Sequence, residues 1–151
     1  VKIRAATAGD LQALAAIVAA TPLWQRYGVT VASAQAALAS GLAAGDSIAL
    51  AEGETGPAGL FWVQPRAGFG RSPYLKWLGV APGQTGGGVG QTLLRAAEEA
   101  ARGVRPELLL LCSDFNLAGQ RFYAREGYAR IGALPDYVLP GVAEHLFFKK
   151  L

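Results

Sequence analysis

The chain has 151 residues and a net charge of +3, from 14 Lys and Arg against 11 Asp and Glu. That length suits one domain with a sizeable core, and a hydrophobic fraction of 52% excludes a disordered chain. No apolar run reaches the ~20 residues of a membrane span, no basic stretch with interleaved aromatics suggests a nucleic-acid surface, and one cysteine, Cys112, excludes an internal disulfide.

The start, "VKIRAATAGDL", has no apolar leader segment, so no signal peptide is read and a reducing, cytoplasmic setting is expected. Lys2 to Ala6 reads as a short strand. Thr7 to Asp10 follows as a capping box with Asp10 in place of the usual Glu or Gln. A helix with Leu11, Leu14, Ala15 and Val18 on one face stops before Pro22, and "PLWQRYG" (Pro22 to Gly28) reads as a loop. A second helix spans about Ala32 to Ala43. Strands at Ser47–Glu52, Ala58–Gln64 and Tyr74–Val80, separated by short Gly-containing links, make an antiparallel meander.

Val89, Leu93, Leu94 and Ala97 have helical spacing. Leu108 to Ser113, "LLLLCS", is a continuous apolar run expected of a central strand buried on both faces. The passage from Tyr74 to Ser113 is therefore a parallel crossover. Asn116 is placed to cap a last helix that Gly127 ends, and Tyr128–Ala133 and Glu144–Leu151 read as closing strands. The expected order is β-α-α-β-β-β-α-β-α-β-β in a single α/β domain.

The segment "GQTGGGVGQTLL" holds Gly86, Gly87, Gly88 and Gly90 at the mouth of the third long helix. A glycine costs about 1 kcal/mol relative to alanine in a helix, so the cluster needs a reason. A turn with positive φ accounts for one or two of them. Backbone N–H groups approaching an anion at a helix N-terminus would account for all four. A Walker A loop fails, because Gln91 stands where lysine is required and Thr85 where the first glycine is required. A dinucleotide fingerprint lacks its third glycine at Gln91. Asp114 stands where a ribose-binding acid would, but too little chain follows for the rest of such a fold.

The remaining pattern, Val80, Pro82, Gly86, Gly88, Gly90 and then Leu93-Leu94, resembles the acyl-CoA loop of the GNAT superfamily of N-acetyltransferases. Asn116, Gly119, Tyr123, Gly127 and Tyr128 echo a second GNAT segment. The resemblance covers the whole chain. It implies a mixed, mostly antiparallel sheet with a splayed parallel strand pair, and transfer of an acetyl group from acetyl-CoA to a primary amine by direct attack. Implied cofactor-binding positions are Leu78, Val80, Thr85, Gly86, Gly87, Gly88, Val89, Gly90, Gln91, Asn116 and Tyr123. The Leu78 N–H would hold the thioester oxygen, and Tyr123 would protonate the leaving thiolate. Trp24, Tyr27, Asp136, Tyr137 and Glu144 would receive a small-molecule or peptide amine, with no metal, nucleic acid or membrane involved. Homodimerisation is left open.

Two features depart from the pattern. Thr85 stands where relatives of that superfamily carry Arg or Gln, and Pro73–Gly79 contains no carboxylate to serve as general base. Asp114, Asp136, Glu144 and His145 are the candidate bases, with none assigned. Cys112 is the candidate for a covalent route, although its apolar run favours a core thiol. A cofactor-binding regulatory module without turnover is the alternative reading.

Overall fold

The central strands are apolar at nearly every position, so a sheet built from them needs cover on both faces. The computed structural model, which describes residues 1–151, has that arrangement. Seven strands, β1 (Lys2–Ala5), β2 (Ser47–Gly53), β3 (Gly56–Gly68), β4 (Ser72–Val80), β5 (Glu107–Ser113), β6 (Ala129–Leu134) and β7 (Glu144–Lys150), form one sheet. Their order is β1-β2-β3-β4-β5-β7-β6, and only β4 and β5 run parallel.

Helices α1 (Leu11–Ala20) and α3 (Val31–Ala43) cover one face. Leu14, Val18 and Leu38 pack there with Leu50, Leu60 and Trp62. Helices α4 (Val89–Arg102) and α5 (Leu117–Arg125) cover the other, where Leu93, Leu94 and Ala97 meet Phe61, Leu108 and Leu110. No helix is long and apolar enough to cross a membrane.

The expected order of strands and long helices holds, with two short additions, a 3-10 turn at Ala8–Asp10 and an α-helix. Pro22–Arg26, read from sequence as loop, is a short helix, α2. Pro22 occupies the first helical position, where its missing N–H costs nothing and its φ is already suitable. The Gly-rich link after Gln64 is also less of a loop than expected, since β3 continues to Gly68. The capping box is present: the Asp10 carboxylate accepts the Thr7 N–H at 2.8 Å. The Arg4 guanidinium grips both oxygens of that carboxylate and also reaches Glu52, tying β1 to β2 and to the start of α1.

A second polar knot lies under α4. Glu98, 2% exposed, accepts from Tyr128 Oη at 2.8 Å, Lys149 Nζ at 3.0 Å and Arg95 at 3.1 Å. Burial pushes its carboxyl up. The hydrogen bonds from Lys149, Tyr128 and Arg95 outweigh burial and hold it below the usual range. A lowered folded-state value means that its contribution to stability is full above the ordinary glutamate pKa of about 4.3 and is lost as pH falls through the folded value. Acidification from about pH 5 to 3 is therefore expected to lower the melting temperature less in Glu98→Gln than in the wild type. Lys149→Met is expected to cost about 3 kcal/mol in denaturant unfolding, the low end for breaking a buried pair, because Lys149 is 21% exposed.

Gly41 in α3 gives a contrasting test. Helix propensity alone favours Gly41→Ala by about 1 kcal/mol. A Cβ at this position would sit 2.6 Å from Cζ2 of Trp62, whose indole is fixed by a 2.9 Å bond to Asp46. Overpacking against a rigid ring costs about 1–3 kcal/mol. A lower melting temperature is the expected sign.

Candidate active site

The site begins where the sheet comes apart. β4 and β5 are paired only at Tyr74↔Leu109 and Leu75↔Leu110. Immediately beyond, the β3–β4 register shifts, with Trp62 opposite Trp77 and Val63 opposite Leu75, so Lys76 is an extra residue in β4. Such a bulge bends its strand and increases the local twist, and the rest of β4 leaves β5. On its other side β4 stays bonded to β3. The Ala81 N–H meets the Ala58 carbonyl at 2.8 Å, and the uninterrupted register below that bond makes alternate N–H groups point the same way. Gly79 therefore directs its N–H to β3, while Leu78 and Val80 direct theirs into the gap.

The gap leads to the glycine loop. Gly86 and Gly88 have φ of +85° and +81°, a left-handed backbone that glycine adopts freely. Gly88 caps α4. From Gly86 to Gln91 no backbone N–H is bonded to a carbonyl of the chain, and the first bonded one is Thr92, to the Gly88 carbonyl at 3.0 Å. These donors lie at the positive end of a 14-residue helix, worth about half a unit charge. Gly87 and Gly90 are not explained by the turn, since neither has positive φ. A Cβ on Gly90 would meet Val80 and Phe122 no closer than 3.5 Å, in ordinary contact. The protein itself has room for a side chain there.

Gap, loop and the ends of β5 and α5 form a cleft of about 860 Å³. Of the sequence-derived positions it brings together Leu78, Val80, Thr85, Gly86, Gly88, Gly90, Gln91, Asn116 and Tyr123 with Trp24, Tyr27 and Glu144. Val89 is buried in the core instead, and Gly87 does not line the cleft; both keep unbonded N–H groups. The Asn116 Oδ1 accepts the Gly119 N–H at 3.0 Å, so it caps α5. Trp24 packs against Gly79, where any Cβ would strike its ring, and on Trp77 at 5.8 Å between centroids.

Asp136 and Tyr137, by contrast, do not line the cleft. Asp136 has φ of +55° and spends its carboxylate on the Gly141 N–H at 2.6 Å, closing its own loop. Tyr137 is 61% exposed, and Val138 reaches the cleft in its place. Sequence reading missed Tyr74, Ser113 and Arg125, which also line it. Ser113 and Tyr74 could not be found locally, since their place depends on pairing with distant strands.

Chemistry divides between the two faces. On the α4–α5 side stands Tyr123, whose phenol makes no hydrogen bond and is pushed above its ordinary value, chiefly by burial. Cys112 faces the same core, and burial pushes its thiol up to about 12, so it stays protonated near neutral pH. A protonated thiol is a weak nucleophile, which disfavours the covalent candidate although Cys112 lines the cleft. On the opposite face the Tyr27 ring stacks on Phe115, and its hydroxyl bonds Ser113 Oγ at 2.5 Å and the Glu144 carboxylate. Desolvation, reinforced by the bond to Glu144, raises the Tyr27 phenol to about 12.

Known proteins place this arrangement. No curated protein sequence matches the chain. Among solved structures, the ribosomal-protein-alanine N-acetyltransferase of Brucella melitensis superimposes with a TM-score of 0.82 at 28% identity over 100% of both chains. A Salmonella typhimurium protein solved with its cofactor acetyl-CoA gives 0.79 at 17% identity, over 99% of this chain and 93% of its own. An aminoglycoside 6'-N-acetyltransferase complexed with coenzyme A gives 0.81 at 13% identity, over 99% and 97%. The family described as the acetyltransferase (GNAT) domain matches residues 44–130, more than half of the chain, from the strand entering the meander through α4, β5 and α5. The chain belongs to the GNAT acetyltransferase family.

Proposed function

We propose that the protein moves an acetyl group from acetyl-CoA to a primary amine by direct attack in a ternary complex. The observation that carries this reading is the set of unbonded N–H donors along the cleft. It runs from Leu78 and Val80 in the parted strand to Gly86–Gln91 at the α4 N-terminus. An extended amide-bearing arm ending in a pyrophosphate is the ligand shape that such a set suits. The pyrophosphate would take the donors at the helix mouth, where side chains at Gly87 and Gly90 would obstruct it. Thr85 would stand beside it, its hydroxyl replacing a longer side chain. The arm would lie along β4 in the place of a missing strand.

Bound there, acetyl-CoA supplies an activated acyl carbon. The Leu78 N–H then faces the carbonyl oxygen as it gains charge, a contact whose loss typically costs about 3–4 kcal/mol. Tyr123 would donate its phenolic proton to the departing sulfur, a proton that any phenol holds at neutral pH and that burial holds more firmly. Asn116 caps α5 with its oxygen and leaves its amide N–H groups for the arm. The amine enters from the other face, past Trp24 and Tyr27. The similar Brucella melitensis structure, named for acetylation of a protein alanine, makes peptide amines the first acceptors to try.

Tyr123→Phe is expected to lower kcat about 10²–10⁴-fold while acetyl-CoA still binds, as read by thiol release and by calorimetry. Gly90→Ala separates cofactor binding from folding. Its melting temperature should match the wild type or exceed it, whereas the acetyl-CoA Kd should rise about tenfold or more, the ~1.4 kcal/mol of one obstructed contact. Undiminished affinity in Gly90→Ala would remove the cradle reading.

A further inference from the structure

Glu144 is the only carboxylate that lines the cleft. It is 6% exposed, yet none of the ion pairs of the protein includes it. A buried anion without a counter-charge is costly unless something else completes its surroundings. Here the partners are hydroxyls. An ionised carboxylate only accepts, so Tyr27 donates to Oε2. With its single proton committed, the Tyr27 oxygen then accepts from Ser113 Oγ. The other oxygen, Oε1, takes no donor from the protein.

The remaining candidate bases are bonded to the backbone or turned away, and the buried His145 Nδ1 has no hydrogen-bond partner. The Asp114 carboxylate accepts the Ala143 N–H at 2.9 Å, and Asp136 closes its loop. His145 is paired with Cys112 in the β5–β7 ladder and so points to the face opposite Glu144. Register explains why Glu144 succeeds. It lies opposite Ser113, the last residue of β5, where β4 has already departed.

We propose that Glu144, held by Tyr27 and Ser113, receives the acceptor as an ammonium ion and takes its proton, and that the acceptor carries no carboxylate beside its amine. This rests on the acetyltransferase reading above. Two protons leave the nitrogen. The first passes to Glu144 and then to solvent as the proton released overall, freeing the lone pair to form the C–N bond. The second, lost as that bond forms and the C–S bond breaks, balances the proton that Tyr123 gives to sulfur. An acid group beside the amine would stand against the Glu144 charge with no cation paired there. The groups facing Glu144 do not compete for the proton. Tyr27 from α2 and Tyr74 from β4 are each raised to about 12, and the Asp114 carboxylate is turned to the Ala143 N–H.

The test compares wild type, Glu144→Gln and Tyr27→Phe on a panel holding a peptide, an amino-acid amide, the matching free amino acid and an arylalkylamine. Glu144→Gln should keep its acetyl-CoA affinity and lose about 10²-fold or more in kcat/KM near pH 7. Its activity should then climb tenfold per pH unit toward the amine's own pKa, because only amine already neutral in solution can react. The free amino acid should be at least tenfold poorer than its amide. Should Glu144→Gln not fold, Tyr27→Phe carries the test: losing a donor to the carboxylate should move the acid limb of the profile to higher pH. An active wild type whose Glu144→Gln variant keeps the wild-type profile, at full or merely scaled-down rate, overturns the inference and leaves the acetyltransferase reading intact. A free amino acid equal to its amide overturns the acceptor class. No turnover on any amine, with no amine-induced change in tryptophan fluorescence of the acetyl-CoA-loaded protein, overturns both.

Discussion

The parting of β4 from β5 after two residue pairs is the constraint on which the site depends. A parallel pair would ordinarily continue, satisfying the N–H groups of both strands along their length. The extra residue at Lys76 prevents this by bending β4 away while β3 still holds its other edge. Backbone donors at Leu78 and Val80 are left facing a gap in the middle of a sheet, not an outer edge. Such a gap survives because both faces around it are packed: α4 and its apolar row hold one side, and the tryptophans Trp24, Trp62 and Trp77 hold the other.

The gap also joins the two faces of the sheet, which otherwise have no communication. Tyr123 and Cys112 belong to the α4–α5 side, and Tyr27, Ser113 and Glu144 to the α1–α3 side. A donor thioester lying in the gap would meet an acceptor arriving from across the sheet. Charge is distributed in keeping with this. The proposed anion-binding end would rely on backbone donors and a helix dipole, so a chain with a net charge of only +3 could hold a polyanion without a lysine cluster. The acceptor end relies on one buried carboxylate within a wall of aromatic rings.

Much of this was legible in the sequence, for reasons that differ by element. The glycine loop, the Asn116 cap and the apolar run of β5 were readable because each is a local requirement of backbone geometry or burial. α2 was not, because five residues starting with proline carry no periodicity to read. Asp136 misled for a related reason. Loop composition offers a carboxylate but does not tell whether a nearby N–H, here that of Gly141, will claim it. Tyr74 and Ser113 needed the β4–β5 and β5–β7 registers, which are long-range facts.

In the proposed mechanism topology compensates for the carboxylate absent from Pro73–Gly79. β4 contributes no acid, yet its departure exposes the end of β5, and the antiparallel pairing of β7 sets Glu144 beside Ser113 at that end. The base proposed on β7 is positioned by sheet register and by the Tyr27 hydroxyl from α2, not by its neighbours in sequence. The acid need not lie on the strand that binds the thioester. It needs only to lie on the face from which the amine comes, within reach of the opening. The bulge that frees the Leu78 N–H also opens the end of β5 beside Glu144, so one extra residue in β4 would govern both ends of the proposed reaction.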